Sequence, residues 1–191
     1  MKRITKATLW VLSLAGLAGL ATFGVPGLVK ADDDAHTFSF DVACDCRTGA
    51  APDGQVRGGP FVIQGKIFPS GTLPAGIDSM YPTDRANSVG DWLCRGQSGG
   101  GAIPSAYAAT PSVLNTQYYI LSGPDPLHPK AALTLEGYEI ITNAGESSAL
   151  SITGGTGGYS GAAGDVTATG LGTNKSGCPN FRARFSIRRG D

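Results

Sequence analysis

Apolar and polar residues alternate along most of this chain in short runs, separated by clusters of Gly, Pro, Ser and Asn. Alternation with a period of two marks a strand with one buried face. The last run is the clearest: Phe181, Ala183, Phe185 and Ile187 fall on one face, and Arg182, Arg184, Ser186 and Arg188 on the other. The first, His36–Arg47, sets Phe38, Phe40, Val42, Cys44 and Cys46 on one face. Between them lie Gly59–Pro69, Gly90–Gly96, Asn115–Ser122, Ala131–Thr142, Glu146–Thr153 and Gly164–Thr169. No segment beyond the first thirty or so residues sustains a helical period, so no helix is available to cover these apolar faces. A sheet that closes on itself covers them and removes its own edges. The pattern therefore predicts an all-β fold, an eight-stranded antiparallel closed barrel, with a two-sheet sandwich as the alternative. Eight strands enclose a lumen wide enough for side chains or for one small ligand.

Between the sixth and seventh runs stands Gly154-Gly155-Thr156-Gly157-Gly158-Tyr159-Ser160-Gly161-Ala162-Ala163-Gly164. It is too glycine-dense for a strand interior and reads as a tight strand-to-strand crossing, where small residues let backbones touch. It does not open a dinucleotide site, because the sixth position counted from Gly155 is Ser160 and no βαβ unit surrounds it. Ser160 also lacks the frame of a nucleophile elbow. Two long connections, Ser70–Val89 and Gln97–Leu114, flank the short strand at Trp92 and are either rim loops or plain surface loops.

The first thirty-one residues read as a secretory signal peptide: a basic start (Lys2, Arg3, Lys6), an apolar stretch from Ala7 to about Val25, and small residues ending at Ala31. A retained membrane anchor is the alternative, weakened by Gly16, Gly19, Gly24 and Pro26. Residues 32–191 then form one domain with no stable membrane anchor. The leader holds four basic residues and no acidic one, so its removal turns a balanced chain of 15 basic and 15 acidic side chains net acidic. That leaves no basic stripe for nucleic acid. The chain is expected to be secreted or periplasmic.

Cys44, Cys46, Cys94 and Cys178 are an even set in an exported chain, which favours two disulfides over a metal site. In an up-and-down barrel all four fall toward one rim. One bond is expected from each of Cys44 and Cys46, to Cys94 and Cys178, with Cys178 tied to the first strand by barrel closure. A Cys44–Cys46 bond would close too small a loop. No metal or other cofactor is expected. Asn174-Lys175-Ser176 is formally a glycosylation sequon, a match short enough to arise by accident. His128, between prolines in a stiff loop, reads as a surface residue.

The polar groups on the strands carry what chemistry there is. Tyr118 and Tyr119 are adjacent, so one faces inward. Glu139 aligns with Leu133 and Leu135, which would bury it, raise its pKa and suit it to proton transfer. A bulge at Gly137 would instead flip it to solvent. Glu139 and Tyr119 are the catalytic candidates; Trp92, Tyr118 and Tyr138 are the ligand-binding candidates. Arg182 and Arg184 are expected on a solvated outer face.

The glycine segment is similar to the G-G-T-G-x-[FY]-x-G-A-x-G signature of dirigent and allene oxide cyclase-like barrels. Phe61–Thr72, Trp92–Gly96 and the tail from Asn174 through Asn180-Phe181-Arg182 resemble bacterial members in the same order. The resemblance implies a lipocalin-like barrel, trimeric in the plant relatives, whose mostly apolar cavity holds a reactive intermediate in one shape. It implies a small hydrophobic ligand and, if the protein is an enzyme, an isomerase or cyclase. The plant cyclase's first-strand glutamate has no counterpart here, where only Asp41 and Asp45 occur, so no substrate carries over. A non-enzymatic exported carrier or surface module is the alternative. An open apolar cavity with an inward acid would favour the enzyme, and a plugged lumen the carrier.

Overall fold

The computed structural model describes residues 35–46, 59–75, 87–98, 112–122, 129–140 and 144–189. The proposed signal peptide and His128 lie outside them. Eight strands run in chain order: β1 (His36–Asp45), β2 (Pro60–Pro69), β3 (Gly90–Ser98), β4 (Ser112–Leu121), β5 (Ala131–Ile140), β6 (Ser147–Gly157), β7 (Ala162–Thr173) and β8 (Pro179–Arg189). Each pairs antiparallel with the next, and β1 pairs with β8, closing the barrel. The alternation of β1 and β8 explains the closure. Phe38 stands opposite Phe185, Phe40 opposite Ala183 and Val42 opposite Phe181, so both apolar faces point into the lumen.

The middle of the barrel is filled. Val42, Tyr119, Leu133, Leu135, Val166, Ala183 and Phe185 have 0% exposure, which leaves no water-sized space against them. Phe185 anchors this plug, stacked on Phe38 at 4.9 Å and edge-on to Tyr119 at 5.0 Å. Such ring pairs contribute about 0.5–1.5 kcal/mol each beyond their buried area. The packed waist separates two ends. At one, Phe38, Phe40 and Tyr159 gather near the β6–β7 hairpin. At the other, β4 and β6 begin and β5 finishes, and the buried polar side chains of Asn115 and Gln117 mark a polar end among the apolar Phe61, Cys94 and Val113.

The glycine segment is a hairpin rather than a crossing outside the strands. β6 runs through Gly154 to Gly157, residues 158–161 turn, and β7 starts at Ala162. Neighbouring backbone presses on the strand glycines Gly155, Gly157 and Gly164, while Gly158 and Gly161 belong to the turn. A Cβ on Gly155 would lie 2.3 Å from the Tyr159 carbonyl oxygen, closer than real side chains approach.

A second apolar cluster sits outside the barrel. The turn after β2 folds back so that Leu73 packs with Ala43, Phe68 and Leu171. Asp41 pins it, accepting from the backbone N–H groups of Gly71 and Leu73, both at 2.9 Å. Arg182 completes the clasp, its Nε donating to Asp41 Oδ1 at 2.7 Å. Arg182 is on the outer face, as its alternation predicts, but engaged rather than free.

The cysteines correct one expectation. Cys46 and Cys178 form a disulfide across the closure, their Cα atoms 5.3 Å apart. Cys44 and Cys94 are buried free thiols. Cys44 stands opposite Gly65 of β2, and Cys94 opposite Ile63 of the same strand. With β2 between them, at about 4.8 Å per strand, their Cα atoms stand roughly 10 Å apart. A disulfide reaches at most about 7 Å.

The sequon is also structural. Asn174 is 2% exposed, and its Nδ2 donates to the Cys44 carbonyl at 2.9 Å and to Asn180 Oδ1 at 2.7 Å. Its Oδ1 accepts from Ser176 N and Oγ. The amide that glycosylation needs is thus occupied in latching the β7–β8 turn onto the end of β1.

In a thiol titration, the native protein is expected to leave Cys44 and Cys94 unlabelled, and denaturant without reductant to release both. Labelling of the unfolded, unreduced chain at neither position would mean that a second disulfide exists.

Candidate functional site

β4 presents Val113, Asn115, Gln117 and Tyr119 to the interior, every second residue. Asn115 and Gln117 are polar side chains at positions that strand alternation assigns to the core, 5% and 1% exposed. Polar groups buried in this way need partners, and Glu139 supplies them.

Glu139 reaches the interior because β5 keeps its phase. The β4–β5 register runs unbroken from Ala131 to Ile140, with no shift at Gly137. The irregularity lies instead between Thr134 and Leu135 in the pairing with β6, where Thr153 is the extra residue. Gly137 is small for another reason: a Cβ there would lie 2.8 Å from Leu150 Cδ2. Glu139 therefore faces the same way as Leu133 and Leu135.

Its carboxylate accepts three hydrogen bonds from uncharged donors. Asn115 Nδ2 and Gln117 Nε2 donate to Oε2 at 2.8 and 2.9 Å, and Ser148 Oγ donates to Oε1 at 3.2 Å. Gln117 extends the network, its Oε1 accepting from Trp92 Nε1 at 3.0 Å and, more weakly, from the Tyr119 hydroxyl at 3.4 Å. One atom stands out: the buried Oδ1 of Asn115 has no hydrogen-bond partner among the described residues.

Two effects oppose each other at Glu139. Burial penalises the charged form and raises its pKa; the bonds from Asn115, Ser148 and Gln117 lower it. Burial wins, and the carboxyl titrates above its ordinary value of 4.5. The Tyr119 hydroxyl and the Cys44 thiol are likewise pushed up, first by burial and then by the negative groups nearby. Burial also raises the Cys94 thiol. Both thiols are therefore held in the protonated, unreactive form.

The structure divides the residues singled out by sequence. Glu139, Tyr119 and Trp92 meet in one network. Tyr118 and Tyr138 do not join it: they occupy the opposite parity of β4 and β5 and lie on the outer wall, where Arg95 sits over the Tyr118 ring at 5.4 Å from its centre. Asn115, Gln117 and Ser148 were not signalled by any motif. The period-two pattern of β4 does carry them, since polar residues at inward positions are its anomaly. Among the described residues no group of three or more His, Cys, Asp or Glu side chains could hold a metal ion.

No family model and no curated protein matches this chain. Solved structures do. A pterocarpan synthase dirigent protein aligns with a TM-score of 0.53 at 11% identity, covering 96% of this chain and 100% of that one. A second pterocarpan synthase dirigent protein aligns with a TM-score of 0.50 at 13% identity, covering 81% and 94%. A pyocyanin demethylase aligns with a TM-score of 0.50 at 15% identity, covering 80% and 100%. At such identities the likeness is one of fold, and the chain has a dirigent-like barrel.

Because the folded state binds the Glu139 proton more tightly than the unfolded chain, stability falls as pH rises from 4.5 through the raised pKa. Glu139→Gln is expected to flatten that slope, since Asn115 can turn its Oδ1 toward the new amide. Chemical denaturation midpoints from roughly pH 4 to 8, spanning the carboxyl range, test this. Parallel slopes for both proteins would show that Glu139 is not the buried titrating group.

Proposed function

We propose that this protein holds a small, largely apolar molecule at the polar end of its barrel and guides a proton transfer in it, as an isomerase or cyclase does. The observation that carries this reading is the inward carboxyl of Glu139, ringed by Asn115, Gln117 and Ser148, beside a buried Asn115 oxygen that lacks a donor. A carboxyl whose pKa is raised by burial keeps its proton to higher pH than an exposed one, and can lend that proton and recover it. A ligand hydroxyl or N–H would supply the donor that Asn115 Oδ1 lacks. No redox step or metal is needed for such chemistry.

The packed waist limits the depth of the seat, so the ligand rests at the end of the barrel rather than threading it. That packing also supports the second reading, a carrier or surface module that binds without converting. The structural neighbours carry names of small-molecule chemistry, a synthase and a demethylase, which agrees with either. Export fits the Cys46–Cys178 bond, because disulfides persist in oxidising compartments.

Native mass spectrometry after incubation with a lipid and phenolic extract tests the proposal. The wild-type protein is expected to retain a specific component, and Ser148→Phe, which fills the seat, to lose it. Glu139→Gln is expected to retain the molecule unconverted where the wild type alters it. Retention without conversion by either protein would leave the carrier, and no retention by the wild type would sink the ligand site.

A further inference from the structure

The outer wall of β2–β5 carries a feature on the opposite face of these strands from the Glu139 network. Three large hydrophobic side chains are exposed among the described residues: Val62 at 48%, Leu114 at 61% and Tyr138 at 37%. All three belong to this wall. The strand registers arrange them in two neighbouring rows. Pro60, Gln97, Leu114 and Tyr138 stand side by side in one, and Val62, Arg95, Thr116 and Glu136 in the next. A groove of about 570 Å³ runs between these side chains, over the backbone of Gly96 and Gly137. Tyr138 lies beyond the groove's lining yet continues its apolar surface, so the patch is broader than the groove. A broad, shallow apolar surface fits a flat macromolecular face better than a small ligand.

The charges identify that face. Arg95 and Glu136 are exposed and lie in one row, on either side of Thr116. They are two strands apart, about 10 Å. We propose that this wall is a self-association surface on which two copies pack about a two-fold axis running along β4. Such an axis brings Leu114 onto its own copy. It exchanges the strands to either side of β4, so Arg95 faces the partner's Glu136 and Glu136 faces the partner's Arg95. One surface thus supplies both halves of the contact, as an isologous interface requires. Arg95 is already steadied over Tyr118, so less freedom is lost when it pairs.

Sedimentation equilibrium of the purified protein tests this, with Leu114→Glu, Arg95→Glu, Glu136→Arg and the double exchange Arg95→Glu/Glu136→Arg. These positions are exposed, and circular dichroism is expected to show every variant folded. The wild type is expected to dimerise and Leu114→Glu to be monomeric. Each single charge reversal sets like charges against each other twice and is expected to weaken the dimer about tenfold or more, while the double exchange recovers it. A wild-type monomer, or the trimer that the family resemblance implies, would overturn the two-fold contact. So would a dimer that survives Leu114→Glu, or a double exchange that fails to recover association.

Discussion

Closure of β1 onto β8 is the contact on which the rest of this structure depends. With no α-helix among the described residues, the apolar face of each strand has only other strands to cover it, and an open sheet would leave that face in water. Pairing the first strand with the last turns eight half-covered faces into one core. The ends of this seam are secured in several ways. The Cys46–Cys178 bond crosses it, the Asn174 side chain ties the β7–β8 turn to β1, and Asp41 holds Arg182 on the outside. Covalent, hydrogen-bonding and ionic restraints thus meet on one pair of strands that lie far apart in sequence.

Against that sealed core, the Glu139 cluster is a local expense. A carboxylate in a low-dielectric lumen is unfavourable unless its lone pairs are satisfied. Three neutral donors reduce the penalty without cancelling it, as the raised pKa records. A lumen lined throughout by aliphatic side chains would avoid it. An inward acid and, among the described residues, an unpartnered amide oxygen thus stand together at one end, while the middle is packed to zero exposure. Departures from local rules of this kind tend to gather at functional sites.

Much of this could be read from the sequence, and the limits have physical causes. The faces of β1 and β8 followed from alternation alone, because period two leaves no freedom once one face is buried. The phase at Glu139 did not. Gly137 could have been a bulge, and the real irregularity is at Thr153 in the partner strand, where β5's own sequence carries no sign of it. Alternation gave Tyr118 and Tyr119 opposite faces without saying which was inner; the apolar row of β5 opposite Tyr119 decides it. The cysteines illustrate a different limit. Placing all four toward one rim was correct in direction, but bonding depends on how many strands intervene, and β2 keeps Cys44 from Cys94. Asp41 was hidden for a similar reason: its burial comes from a turn beyond β2, not from its own strand.

The filled waist has a consequence for how such a barrel can change over time. A tube with one continuous bore couples everything along it, since any side chain that widens one mouth alters passage to the other. Here Phe185, Tyr119, Leu133 and Leu135 act as a partition, with a different group of side chains on either side of it. The aromatic group around Phe38 and Tyr159 and the polar group around Glu139 share no contact across it. Substitutions in one can be tried without disturbing the other, so a single small barrel offers two separately adjustable surfaces on one rigid partition.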